Sequence, residues 1–117
     1  TVETLVEEET WRCILESCGV CLFARRVYDI NLVAEALAKL GLRRSVEELK
    51  ETGRRIYALK YRFKLREGFS FKNLKIPARL FETPSANGRI EPDDVKKALE
   101  AAERRIKEMV EKYAPAM

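Results

Sequence analysis

Residues 92–113 read PDDVKKALEAAERRIKEMVEKY, and this stretch sets the fold class. Val95, Ala98, Leu99, Ala102, Ile106, Met109, Val110 and Tyr113 recur at spacings of three and four, the period of one helical face. Pro92 suits the first helical position, where its missing N–H costs nothing. Asp93 and Asp94 stand at the positive end of the helix dipole, and Lys107 and Lys112 towards the negative end. A helix with one such stripe buries it against other helices of the same chain. The apolar repeat is also close to seven residues, so the alternative is a partner helix or a homodimer seam.

Working back along the chain, a second long helix is expected over residues 46–66. Ser45 and Glu48 form a capping box, in which each side chain accepts from the other's exposed backbone N–H. Val46, Leu49, Gly53, Ile56, Leu59 or Lys60, and Phe63 follow at helical spacing. Glycine inside a helix costs about 1 kcal/mol against alanine, so Gly53 predicts the close approach of another helix. A shorter helix is expected over 31–40, with Leu32, Val33, Ala36, Leu37 and Leu40 on one stripe, Asp29 or Asn31 as its cap and Gly41 as its stop. A first helix over 2–17 carries Glu3, Glu7, Glu8 and Glu9 in its early turns and stops at Gly19. Between 68 and 90 the period fails at Pro77, Pro84 and Asn87-Gly88, which predicts a long loop. The expected architecture is all-α: an irregular bundle of about four helices with a long loop before the last, forming one fragment-like domain over 1–117.

The composition narrows the chemistry. The chain has 117 residues, 46% of them apolar and 36% charged. That is room for one modest core. Lys, Arg and Glu dominate and Gln is absent, a bias that suits ion-pair networks and points to a thermophilic source. A net charge of +4 is mild and demands neither a nucleic acid nor a membrane partner. No stretch is apolar enough to span a bilayer, and the acidic start does not resemble a signal peptide, so a cytoplasmic location is expected. The first residue is Thr1, which suggests a removed initiator Met or a segment of something longer. With no His, imidazole acid–base catalysis and His-based triads are excluded within this chain.

The three cysteines lie close together: Cys13, Cys18 and Cys21. Three chemistries compete. Cys18-Gly19-Val20-Cys21 has the spacing of a dithiol redox site, although such sites normally follow a strand. The spacing C-x4-C-x2-C begins a plant-type ferredoxin pattern, but a complete cluster needs a fourth ligand; one ligand of a shared cluster remains open. The third reading is structural, with cysteine packed as a small apolar group. Cys13, at helical spacing from Val6 and Leu5, fits that reading best.

The run Glu16-Ser17-Cys18-Gly19-Val20-Cys21-Leu22-Phe23 resembles a segment of the tungsten-containing aldehyde ferredoxin oxidoreductases. Their pattern there is Asp, two variable residues, Gly, an apolar residue, Cys, then an apolar or aromatic pair. The likeness continues through Ser45-Val46-Glu47-Glu48-Leu49, Gly53-Arg54-Arg55-Ile56-Tyr57 and Phe63-Lys64-Leu65-Arg66-Glu67-Gly68-Phe69-Ser70, then Pro77 and Arg79. It spans roughly residues 13–81. The resemblance implies that Cys21 is the fourth ligand of a 4Fe-4S cluster beside a tungstopterin. It also implies that Glu16 takes the place of the family's Asp at the pterin, that Val20 touches the pterin, and that Gly19 permits the turn.

The chain also departs from that pattern. Glu16 is one methylene longer than Asp. The family's other three cluster cysteines, in a C-x2-C-x3-C run, have no counterpart, nor do its N-terminal pterin-cradling domain, the Glu and His near the metal, or the Tyr-Tyr and Gly-Trp-Asp tail. The expectation is a C-terminal segment that closes one wall of the cofactor site, donates one cysteine and holds neither cofactor alone. It would be inactive in isolation and partnered by the remaining domains or a split subunit, with ferredoxin as electron acceptor of the whole enzyme. The alternative is a stand-alone helical scaffold or interaction module. A third reading concerns Arg54, Arg55, Lys60, Arg62, Lys64 and Arg66, which alternate with Tyr57, Tyr61 and Phe63 as in single-strand nucleic-acid binders. On a helix the same pattern describes a core stripe and a solvated face.

Overall fold

Thr1 opens the first helix by accepting the Thr4 N–H on its hydroxyl, and the chain then runs as helix α1 over Val2–Ser17. A computed structural model describes residues 1–114. After α1 come a 3-10 turn at Leu22–Ala24, α2 over Ile30–Lys39, α3 over Val46–Arg66, a second 3-10 turn at Phe71–Asn73, the short α4 over Arg79–Glu82, and α5 over Pro92–Tyr113. The architecture is all-α. Among the described residues the only ladder-like pairing is an isolated bridge between Ser85 and Gly88, which closes a small turn.

Local chemistry accounts for the helix ends. Ser45 and Glu48 form the reciprocal capping box at the start of α3, at 3.2 and 2.8 Å. Asp29 caps α2 by accepting the Leu32 N–H at 2.9 Å. At the other ends, α1, α2 and α3 all close with the paired hydrogen bonds of a Schellman motif, through Gly19–Val20, Gly41–Leu42 and Gly68–Phe69. The long segment before α5 is less irregular than its prolines suggest, because it contains the 3-10 turn at Phe71–Asn73 and the four-residue α4. Elements of three or four residues are too short to show a helical period.

Packing is organised around α1 and α3, which cross where Gly53 has no side chain. A Cβ built there would stand 2.8 Å from the Thr10 carbonyl oxygen and 2.9 Å from Ile14. One buried cluster joins Val6 and Cys13 of α1, Tyr57 of α3, Phe71, and Ile106 and Met109 of α5. The other joins Ile14 and Leu15 of α1 with Val33 of α2 and Leu49 of α3. The molecule is a slab of 50 × 39 × 19 Å. At about 10–12 Å per helix, that is barely two helices thick. Such a shape leaves one face of each helix open, and Phe23, Val27, Leu40 and Leu42 are all well exposed. No described helix is long and apolar enough to cross a membrane.

Candidate functional site

The turn after α1 is fixed by its main chain. Cys18 ends the helix with φ −85 and ψ 1. Gly19 then takes φ +72, in the left-handed region that side chains with a Cβ avoid. Its N–H donates to the Glu16 carbonyl at 3.0 Å, and the Val20 N–H donates to the Leu15 carbonyl at 2.9 Å. Val20 also lays its half-buried side chain against the cluster of Ile14, Leu15, Val33 and Leu49. This apolar clasp usually accompanies the hydrogen-bond pair.

Cys21 follows in extended backbone (φ −63, ψ 138) and leads the 3-10 turn. Its carbonyl accepts the Ala24 N–H at 2.9 Å, and Arg25 donates from Nη1 to the Leu22 carbonyl at 3.1 Å. The position of Cys21 is thus held from both sides while its residue stays exposed. Cys18 is exposed as well; Cys13 is buried. Burial chiefly pushes the Cys13 thiol above its ordinary value, and the nearby Lys60 opposes that only in part. A buried neutral thiol is a packing group rather than a nucleophile.

Four residues meet at this turn. Gly19 bends the chain, Val20 anchors it, and Cys21 emerges from it. Glu16 lies exposed on the last turn of α1, and its carboxylate makes no hydrogen bond or ion pair among the described residues. Around them the surface is apolar: Phe23 is 90% exposed and Val27 71% exposed. Exposed aromatic and branched side chains beside a free thiol are typical of a covered surface rather than a solvated one.

The donor set sets a limit on what the chain can hold. No group of three or more His, Cys, Asp or Glu side chains among the described residues is arranged to bind a metal ion. An iron–sulfur cluster takes four protein ligands as a rule. The turn therefore fits a cluster as a donor of a thiolate and not as a container for it.

The basic residues of α3 are placed differently from a stacking platform. Tyr57 is buried and Tyr61 half-buried. Tyr61 packs against Phe69 and Phe71, with ring centroids 6.2 Å away in each case. Lys64 lies over the Tyr61 ring at 4.7 Å and Arg66 over Phe63 at 5.2 Å. The aromatic faces of this run are largely engaged inside the protein.

A feature absent from the sequence reading is a cleft of about 390 Å³, to which the segment after Cys21 contributes Arg25 and Tyr28. Trp11 of α1 and Arg54 of α3 also line it. These residues lie far apart in the chain, and no motif spacing links them. A second groove of about 420 Å³ runs between Phe71, Phe81 and the first half of α5.

Comparison with known proteins gives one family. A family model described as aldehyde ferredoxin oxidoreductase, domains 2 and 3, matches residues 1–115. Searches of curated proteins and of solved structures return no match. The matched region contains nearly the whole chain, including the Glu16–Phe23 run and both core clusters. The chain belongs to the aldehyde ferredoxin oxidoreductase family, in the region of its second and third domains.

Proposed function

We propose that this chain closes one wall of the cofactor site of an aldehyde ferredoxin oxidoreductase and donates the Cys21 thiolate to a 4Fe-4S cluster. The observation that supports this most is the exposed Cys21 thiol, held on a turn whose main chain is hydrogen-bonded on both sides. Gly19 sets the direction of that turn. Glu16 stands nearby with an uncommitted carboxylate, ready to accept hydrogen bonds from pterin amines. Val20 spends its side chain on the core and its N–H on Leu15, which leaves its carbonyl to meet the pterin.

When bound, the tungstopterin and the cluster would supply a two-electron oxidation of an aldehyde to a carboxylate, with the electrons leaving to ferredoxin. The work of this chain is narrower. Cys21 supplies one sulfur donor, and the exposed Phe23 and Val27 exclude water where the other domains settle on them. The remaining ligands come from those other domains, so the chain alone is expected to hold no cluster and to turn over no aldehyde.

The test measures iron. The chain is reconstituted with ferrous iron and sulfide, first alone and then with the polypeptide that carries the remaining domains. The chain alone is expected to hold no stoichiometric iron. The assembly is expected to show an iron–sulfur resonance that Cys21→Ser abolishes or alters and Cys18→Ser leaves intact. Stoichiometric iron on the isolated chain, or an unaltered cluster signal in the Cys21→Ser assembly, would defeat the proposal.

A further inference from the structure

The cleft beside the Cys21 turn has no part in the reading above. Its volume of about 390 Å³ lies in the ordinary range of small-molecule sites. Trp11, Ile14, Tyr28 and Ile30 supply its apolar lining. Arg25, Lys50 and Arg54 bring three cations to it. Small-molecule sites combine such features: flat apolar walls and a few convergent polar groups.

The charges do not cancel within the cleft. Of its two carboxylates, Asp29 is committed to the Leu32 N–H at the start of α2, and Glu7 is the other. Lys50 pairs with Glu47 at 3.1 Å on the exposed side of α3. The two guanidiniums are the better anchors, since both arginines are half-buried. Arg25 is oriented by its bond to the Leu22 carbonyl. Arg54 makes no ion pair among the described residues, and its field reaches no further acid than Glu3, which is mainly satisfied by Arg105. A guanidinium presents paired N–H donors that match a carboxylate or phosphate, and an indole face accepts a flat ring.

We propose that this cleft binds a small anion with a flat aromatic body, the anionic group held by Arg25 and Arg54 and the ring lying against Trp11. An aryl carboxylate and a nucleoside monophosphate share that chemistry. The proposal does not rest on the Cys21 reading, because every group it uses belongs to this chain and none needs a metal.

Trp11 is the single tryptophan of the chain, so its emission reports on this cleft. The purified full chain is titrated with benzoate, with adenosine monophosphate and with neutral benzyl alcohol, following Trp11 emission and backbone amide shifts. A saturable change with at least one anion and none with benzyl alcohol is expected, and the tighter anion identifies the source. Arg54→Gln and Arg25→Gln are each expected to weaken binding about tenfold, while Arg55→Gln, on the exposed side of α3, leaves it unchanged. Circular dichroism separates a folded variant from an unfolded one. Saturation by neither anion, equal saturation by benzyl alcohol, or wild-type affinity in both folded arginine variants would overturn the proposal.

Discussion

The guanidinium of Arg105 donates from Nε and Nη2 to the two carboxylate oxygens of Glu3, at 2.8 and 2.9 Å, across 102 residues of chain. This fork ties the first turn of α1 to the middle of α5. The hydrogen bond to Arg105 is the main reason the Glu3 carboxyl sits below its ordinary value. A carboxyl lowered in the fold stabilises above its unfolded pKa, and that contribution disappears as pH falls through the lowered value. Glu3 is 52% exposed, so solvent screens much of the attraction. Glu3→Gln is expected to cost about 0.2–1 kcal/mol at neutral pH, less at high salt, and nothing in acid below the carboxyl range. Urea unfolding of both proteins at the two pH values checks this; an equal deficit at both would show that the fork is not its source.

Gly53 is where α1 and α3 come closest. An alanine there gains about 1 kcal/mol in helix propensity. Its methyl would stand 2.8 Å from the Thr10 carbonyl oxygen, which is backbone and cannot rotate away. Forcing the helices apart costs typically 1–3 kcal/mol, so the steric term should win. Gly53→Ala is expected to lower the unfolding midpoint, and Gly53→Leu to prevent folding. A Gly53→Ala protein as stable as the parent would mean that the helices can slide past each other at little cost.

Tyr57 links the same two helices by a different bond, its hydroxyl donating to Glu9 Oε2 at 2.5 Å. Tyr57→Phe keeps the ring packing and leaves a half-buried carboxylate short of its donor. A loss of about 1.5–3 kcal/mol is expected, the range for hydrogen bonds to charged groups. Burial first, and the bond to Glu9 second, push the Tyr57 phenol well above its ordinary value of 10.0. A raised phenol stabilises fully below the unfolded pKa and loses that contribution as pH climbs beyond it. The parent should therefore weaken in strong alkali, and Tyr57→Phe should weaken less steeply. Parallel alkaline slopes would remove Tyr57 from the explanation.

Gly19 can be tested apart from packing, because a Cβ there would meet nothing within 4 Å. The cost of Gly19→Ala is then backbone alone, about 1–2 kcal/mol for the left-handed conformation. Asn tolerates that region better, so Gly19→Asn should recover part of the loss. Thermal unfolding of the pair decides the matter, and an Asn variant no better than Ala would speak against a backbone origin.

The sequence made the helical class legible because long apolar stripes cannot hide. Val95 to Tyr113 and Val46 to Phe63 each declare a helix by period, and Ser45 with Glu48 declares where one begins. The glycine within the α3 stripe pointed to a close neighbour, and α1 is that neighbour. The family too could be read from the run around Cys21. What could not be read is whatever depends on several elements meeting. Arg25, Trp11 and Arg54 share a cleft only because α1, the segment after Cys21 and α3 converge. The clasp between Val20 and the Leu15 cluster is equally silent, since a single apolar residue after a helix has no period. The turns at Phe71–Asn73 and Arg79–Glu82 are too brief to leave a pattern.

The three thiols should separate by chemistry before any cofactor is involved. Cys18 and Cys21 are exposed, whereas Cys13 keeps 5% of its surface and its thiol is pushed up chiefly by burial. Alkylation proceeds through the thiolate and needs access, so Cys13 is disfavoured on both counts. Native protein treated with iodoacetamide at mildly alkaline pH is expected to take two adducts rapidly, mapped by mass spectrometry to Cys18 and Cys21. The third should appear only on the timescale of unfolding, and denaturant should bring it to the rate of the others. The outcome at Cys21 bears most on function, because a sulfur that alkylating reagent cannot reach cannot be reached by a shared cluster either. Native protection of Cys21 would remove the geometric basis for its ligand role, whatever Cys13 does.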